Sequence, residues 1–501
     1  MNHHPPDEYT RLLPNRFDST PGPYLSPDDP AVSPYNLFSV RLVRFVTVAL
    51  TCLTFLWWTL LLVALFITPP GLHARGSPFF AFGYATVALL TLATELLFFA
   101  VPSRSTRALS FVAAGLLLVD AVVIVAVGRV RHEELVAGVA SVFWATGMAV
   151  WAVAADRTVM WGKRQEEERL TGRPETRRTL LEWTEVMLSG LALGVLAVVV
   201  LFMTCTLVLR AFDSRLAPPG ERYWVDDGKY QIHLYCHGNK TDEFGNKTTT
   251  VLVEGGEDPV ERGLWQFAED ALNNGSISRY CFADRPGYAW SDNAPSPLSV
   301  SMASDALRQT LSRAGEEGPW ILASAGIGSL YSRVFSSRNG EDVRGILMID
   351  PLHEDLLARV GAPGRGFMLW LQGAMSPLGI QRNFGAILKG RGSADRVWGR
   401  ASYLSGKRIF AKLQESLVAS LSKREVESSR VIQRKDVPLV VISSGEQIRR
   451  DSEWEDKQRD LSHLTGNLED WDIVDDAPHQ VWQTLKGREV MEKRLRKLAK
   501  L

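Results

Sequence analysis

Cysteine is scarce in this 501-residue chain: there are four, none in a CxxC pair or a Cys/His cluster with metal-site spacing. That excludes a zinc ribbon or a thioredoxin-like centre, and neither a metal nor a cofactor is expected. Net charge is also missing, with 56 basic against 56 acidic residues. No basic stripe is interleaved with aromatics, so nucleic acid is not an expected partner. The opening residues carry charges and prolines in place of the apolar stretch of a cleavable signal peptide. Residues 1–40 hold eight prolines and few large aliphatics, the composition of a disordered tail. Within that tail Glu8 to Leu13, E-Y-T-R-L-L, resembles an acidic dileucine signal of the kind that sorts cargo to vacuoles or lysosomes.

What the chain does have is long apolar runs, at about 42–67, 79–101, 108–128, 135–155 and 186–209. Each approaches the ~20 residues that span a bilayer, and helix is the only reading, because an isolated strand leaves its backbone unpaired in lipid. The expected architecture is an α-helical bundle of five spans over 41–212. The connections are short except the fourth, Asp156 to Glu185, which holds Lys163, Arg164, Arg169, Arg173, Arg177 and Arg178. The positive-inside rule puts that loop in the cytosol. Five spans then leave the N-terminal tail cytosolic and everything after Phe212 on the other side. Arg104 and Arg107 agree with this topology; Arg129 and Arg131 oppose it. Two acids fall within spans, Glu95 and Asp120. They read either as part of a proton or substrate path or as an inter-helix hydrogen bond, and no basic partner stands mid-span to help the first reading.

After Pro218 to Gly220 the composition becomes that of a soluble domain, with apolar strands alternating with helical stretches, the pattern of a doubly wound α/β sheet. The stretch that organises it is Gly318 to Phe335, G-P-W-I-L-A-S-A-G-I-G-S-L-Y-S-R-V-F. A short apolar run meets a cluster of tiny residues and then a helix-compatible segment, which reads as strand, tight turn and helix. In a G-x-S-x-G elbow the small residues serve a strained turn and a closely packed helix. Here the five positions are Ser324, Ala325, Gly326, Ile327 and Gly328, and the centre, where a nucleophile would stand, is Gly326.

Further motifs make the resemblance specific. Tyr223 to Gly238 looks like the opening hairpin of the α/β-hydrolase superfamily, and T-V-L-V-E-G-G (Thr250 to Gly256) like its third strand and oxyanion turn. R-Y-C-F-A-D-R-P-G-Y-A-W-S-D (Arg279 to Asp292) matches the fourth strand and D-R-x-G-x-G-x-S, with Ala289 in place of the second glycine. Val343 to Asp355 and Val437 to Gly445 resemble the next two strands, and D-D-A-P-H-Q-V-W (Asp475 to Trp482) occupies the place of the histidine loop. The resemblance covers about 223–495. It implies an α/β-hydrolase-like domain over 220–501, with a cap at about 353–435. The whole chain also resembles uncharacterised fungal multi-span membrane proteins.

The resemblance implies His479 as base, Asp350 or Asp451 as the orienting acid, and backbone N–H groups of Gly256 or Glu257 with Ile327 as oxyanion donors. With Gly326 at the elbow, a hydrolase would need Ser324 or Ser329 to stand in as nucleophile. The leading expectation is a degenerate domain that binds a hydrophobic small molecule under the cap or engages a protein partner. An ester or lipid hydrolase with an unorthodox nucleophile comes second, and a transporter built on Asp120 and Glu95 third. The sequons at Asn239, Asn246 and Asn274 all fall beyond the last span, which favours an endomembrane such as the vacuole or plasma membrane over the mitochondrion. The superfamily's second strand lies antiparallel to its fourth. That places Cys236 opposite Cys281, and the oxidising side of such a membrane would let them form a disulfide.

Overall fold

The computed structural model describes residues 24–25, 32–172 and 178–500. The dileucine-like stretch, most of the proline-rich tail, and Arg173 and Arg177 lie outside the described residues. Five helices are long and apolar enough to cross a membrane: α1 (Phe38–Ala64), α2 (Pro78–Leu97), α3 (Arg104–Ala126), α4 (Gly128–Thr171) and α5 (Leu180–Asp213). The shortest has 20 residues, and at ~1.5 Å per residue it reaches about 30 Å, the thickness of a hydrocarbon core. Phe45, Leu56, Phe111, Val150 and Leu188 stand exposed on these helices, as lipid-facing side chains do.

The fourth connection differs from its reading as a loop. α4 runs 44 residues, so Lys163, Arg164 and Arg169 ride on helix. The stretch K-R-Q-E-E-E-R-L (163–170) contains only good helix formers, which keep a helix going once it has started. It ends where Gly172, at φ +68°, takes the left-handed turn that a side chain resists.

The chain divides into two compact units. One comprises Met1–Thr54, Ala88–Ala114 and Gly147–Ala197; the other comprises Phe55–Val87, Gly115–Thr146 and Val198–Leu501. In the first, Asp156 accepts from Arg107 Nε at 2.8 Å and from the Ser103 N–H at 3.2 Å, and Glu95 is partly buried. In the second, Asp120 is fully buried and Oδ2 accepts from the Tyr84 hydroxyl at 3.1 Å, an inter-helix hydrogen bond.

The second unit also contains an eight-stranded sheet. Its strands are β1 (Glu221–Val225), β2 (Tyr230–Gly238), β3 (Thr250–Glu254), β4 (Arg279–Ala283), β5 (Trp320–Ala325), β6 (Val343–Ile349), β7 (Pro438–Ser444) and β8 (Asn467–Val474). They lie in the order β1-β2-β4-β3-β5-β6-β7-β8, with β2 antiparallel to both its neighbours and the remaining pairs parallel. β3, β4 and β5 are buried at every residue. Their unbroken apolar runs are what a sheet covered on both faces demands. One face packs Val253, Phe282, Ile321 and Val440 against Met491 and Leu495 of the last helix; the other packs Leu234, Leu322 and Met348 against Leu307 and Phe335. α6 (Leu264–Asn273), α7 (Val300–Arg313) and α8 (Gly328–Arg338) cover the sheet. This is an α/β-hydrolase-like domain.

Helices fill the interval between β6 and β7 and form the cap. Two of them, Pro363–Met375 and Gly406–Leu417, pack on the ends of α1 and α2. Leu61, Leu65, Phe79 and Phe82 form one apolar cluster with Ile409, Phe410 and Leu413. Leu369 and Trp370, within the cap stretch F-M-L-W-L (367–371), pack against this cluster of span ends.

Antiparallel pairing sets Cys236 opposite Cys281, and a disulfide joins them with a Cα–Cα distance of 4.0 Å. The bridge closes a loop with a sequence separation of 45. Reduction, or Cys281→Ser, is expected to lower domain stability by about 2–4 kcal/mol, read from the denaturant midpoint. Alkylation of the unfolded, non-reduced protein should reach only Cys52 and Cys205, which are free. Labelling of all four cysteines would disprove the bridge.

Candidate functional site

The elbow forms at the end of β5. Gly326 adopts φ +46°, and its N–H donates to the Ile349 carbonyl at 3.1 Å while its own carbonyl accepts from the Leu352 N–H at 2.9 Å. This sharp reversal between strand and helix is what the run of tiny residues provides for.

At the end of β6, Asp350 also takes a left-handed conformation, φ +43°, which turns its carboxylate along the strand ends. Oδ1 accepts from the Ser444 N–H at 3.0 Å and from Trp454 Nε1 at 2.9 Å, and the side chain is wholly buried. Oδ2 lies 2.6 Å from His479 Nδ1, and the Trp454 ring stands edge-on to the imidazole at 5.9 Å. The acid–histidine pair is assembled from β6 and the loop after β8. Asp451 stands apart from it, capping the helix Ser452–Ser462 and pairing with Arg359 at 2.7 Å.

The second imidazole nitrogen has an unusual partner. His479 Nε2 lies 2.9 Å from Glu257 Oε2. A Cβ on Gly326 would meet that same oxygen at 2.5 Å and His479 Nε2 at 3.0 Å. The carboxylate of Glu257 thus fills the space that a nucleophile on the elbow would occupy. The turn Gly255 to Glu257 does run beside the elbow, with Gly256 against the Ala325 carbonyl. What Glu257 directs at His479 is its side chain.

Neither serine replaces the nucleophile in this arrangement. Ser324 is fully buried, its Oγ accepting from Ser332 at 2.8 Å. The Ser329 hydroxyl donates to the Gly326 carbonyl at 2.8 Å inside the first turn of α8. Among the described residues no hydrogen bond joins either to His479.

Burial of the imidazole opposes its charge, but its hydrogen bonds to Asp350 and then Glu257 outweigh that and raise the His479 pKa to about 10. Burial likewise works against the Glu257 charge, yet the bond from His479 holds that carboxyl well below the usual range. The raised pKa favours a row with a protonated imidazole between the two acid side chains. An imidazolium has no lone pair with which to take a proton from a hydroxyl or a water.

One cluster was not read from the sequence. His233, Glu261 and Asp284 are buried together, with His233 Nδ1 2.9 Å from Asp284 Oδ2. Asp284 also accepts from the Trp290 N–H at 3.1 Å, which ties the D-R-P-G loop to β2. In the same loop Ala289 adopts φ +32°, a conformation that glycine takes without strain. At the loop's end Asp292 is wholly buried and meets Arg129 at 2.7 Å and His132 at 2.8 Å, both on α4.

Similarity to known proteins agrees with this architecture. An uncharacterised protein of Schizosaccharomyces pombe is 33% identical over 490 residues, covering 90% of each chain. The present chain belongs to that protein's family. A family profile described as a region of unknown function (DUF2417) matches residues 8–236, the spans and the start of the sheet. An uncharacterised vacuolar membrane protein of Saccharomyces cerevisiae is 27% identical over 385 residues, 65% of this chain and 59% of its own length. Among solved structures, a carboxylesterase of Nitrososphaera gargenis is 15% identical, with a TM-score of 0.39, and covers 56% of this chain and 99% of its own. The mouse alpha/beta hydrolase domain-containing protein 10 is 11% identical, with a TM-score of 0.35, and covers 56% and 98%. The fold assignment itself rests on the strand order.

Because the folded pKa of His479 lies above its ordinary ~6.5, the stability this row contributes is fully present below about pH 6.5. It is lost as pH rises toward the folded value of about 10. The wild-type protein is therefore expected to lose more stability between pH 6.5 and 10 than His479→Gln does, read as the difference between thermal midpoints. Parallel curves for the two would refute the charged row.

Proposed function

We propose that this family member is a membrane-anchored, catalytically silent α/β-hydrolase-like protein whose soluble domain serves ligand binding or protein interaction. One observation carries the reading: Glu257 Oε2 sits 2.9 Å from His479 Nε2 over the glycine of the elbow. An enzyme of this design needs a nucleophile and a neutral base; here glycine replaces the first and ion pairing disables the second. A second reading, an unorthodox hydrolase, draws on the retained 2.6 Å contact between Asp350 and His479. Such pairs often outlast catalysis, since Asp350 also holds Ser444 and Trp454 in place.

A fluorophosphonate probe separates the two. The native protein should stay unlabelled, and so should Gly326→Ser alone, because the new Cβ would run into Glu257. Gly326→Ser combined with Glu257→Ala frees that space and returns His479 toward its ordinary pKa, so labelling is expected to appear. Labelling of the native protein that vanishes in Ser324→Ala would reverse the assignment.

For location, the reading is a vacuolar-type endomembrane with the N-terminus cytosolic and the α/β domain lumenal. The name of the budding-yeast relative supports the compartment, and the basic residues from Lys163 to Arg178, on the end of α4 and before α5, support the orientation. Asn239, Asn246 and Asn274 are all exposed, as acceptors of N-linked glycan must be. In sealed vesicles, added protease should leave residues beyond about 215 intact, and an endoglycosidase should then shift that fragment. Digestion of the domain in intact vesicles would invert the topology.

A further inference from the structure

Where the ends of α2, α4 and α5 meet the sheet domain and cap, a cavity of ≈ 100 Å³ opens. That is far more than the ~15 Å³ one water needs. Six cations line it: Arg129, Arg210, Arg222, Arg382, Arg396 and Lys407. Four carboxylates lie in contact with these cations. Glu133 meets Arg129 at 3.1 Å and Arg210 at 2.9 Å, and Glu134 meets Arg210 at 2.6 Å. Asp213 meets Arg396 at 2.6 Å and Arg382 at 3.4 Å, and Asp292 meets Arg129 at 2.7 Å.

Among the described residues, two of the six cations have no carboxylate within ion-pair distance. Arg222 Nε donates to the Trp290 carbonyl at 3.1 Å, and Lys407 Nζ to the Ala289 carbonyl at 2.8 Å. Arg382, 7% exposed, keeps Nε without any partner. Burial pushes the Lys407 pKa down to about 8 although Glu133 pulls the other way, and pushes that of Arg382 down to about 10 against the pull of Asp213. Buried charges persist when something pairs them.

We infer that this cavity is a binding site for a phosphate group. Guanidinium forks match the oxygens of a tetrahedral oxyanion, and an ammonium adds a point charge. The bound phosphate would face Arg222, Arg382 and Lys407, each of which then gains a charged acceptor. Because the cavity lies at the ends of three spans, the headgroup of an anionic phospholipid is one source; free inorganic phosphate is the other. The site is separate from the elbow, and this inference stands whether or not His479 is silent.

The test uses the full-length protein in zwitterionic detergent and in nanodiscs. Its thermal midpoint is followed against inorganic phosphate at constant ionic strength, and in phosphatidylcholine discs with and without phosphatidic acid. A rise with phosphate in detergent assigns the free anion. A rise only in discs containing phosphatidic acid assigns the headgroup. In either case Lys407→Gln and Arg222→Gln should each weaken the response about tenfold or more, as expected for loss of a charged hydrogen bond. Without ligand, both variants should melt close to wild type, since each half-buried cation gives up a backbone carbonyl and no ion pair among the described residues. No response to either phosphate source, or an undiminished response in both variants, would overturn the site.

Discussion

A charge taken out of water needs a counter-charge close by, and the second unit of this protein is organised by that requirement. Arg333, deep in α8, is matched by both oxygens of Glu354 at 2.6 and 3.0 Å, which ties the elbow helix to the segment after β6. Arg210, near the end of α5, is matched by Glu133 and Glu134. His479 is matched twice, by Asp350 and Glu257. In each case a long-range ion pair fixes the relation between two segments that hydrophobic contact alone would leave free to slide. Removing Glu354 would leave Arg333 a buried charge without its carboxylate, which costs about 3–5 kcal/mol.

The D-R-P-G loop shows how this requirement reuses a motif. Asp284 still braces the loop against His233 and the Trp290 N–H. The far end has taken on another task, because Asp292 accepts from Arg129 and His132 at the start of α4. The Asn293 N–H donates to the Arg75 carbonyl at 2.7 Å, and Ser296 exchanges hydrogen bonds with Thr68. A loop at the edge of the sheet has become the connector between the domain and the span ends. Ala289, held at a positive φ, belongs to the same loop, and its carbonyl is the acceptor for Lys407.

Much of this fold was legible in the sequence, for physical reasons. A bilayer imposes uninterrupted apolar runs, so the five spans stood out. A sheet covered on both faces does the same over shorter lengths, so β3, β4, β5 and β7 were recognisable. The charged half of α4 was missed because apolarity was the signal followed, while helix formation there depends on Gln, Glu, Lys and Arg and on a terminating Gly172. At the site, Gly326, His479 and Asp350 could be placed from the frame of the motifs. Glu257 was read for its N–H because the oxyanion turn of the resemblance concerns backbone. Only the fold shows that its side chain turns toward the elbow. A carboxylate three residues after β3, facing an elbow with no side chain, was the available signal. The pairing of Asp292 with α4 bridges 163 residues of sequence and left no local trace.

The closed row and the elbow also constrain one another. A side chain at Gly326 and the present position of Glu257 exclude each other, since both need the volume beside His479 Nε2. With Glu257 removed, the imidazole would lose the second of its two carboxylates and shift toward neutrality, but the elbow would still lack a nucleophile. With a serine added, Glu257 would have to swing away from a charged hydrogen bond. The arrangement therefore couples two residues 69 positions apart. The acid–histidine pair is thus kept at hydrogen-bonding distance while a carboxylate takes the volume beside Nε2.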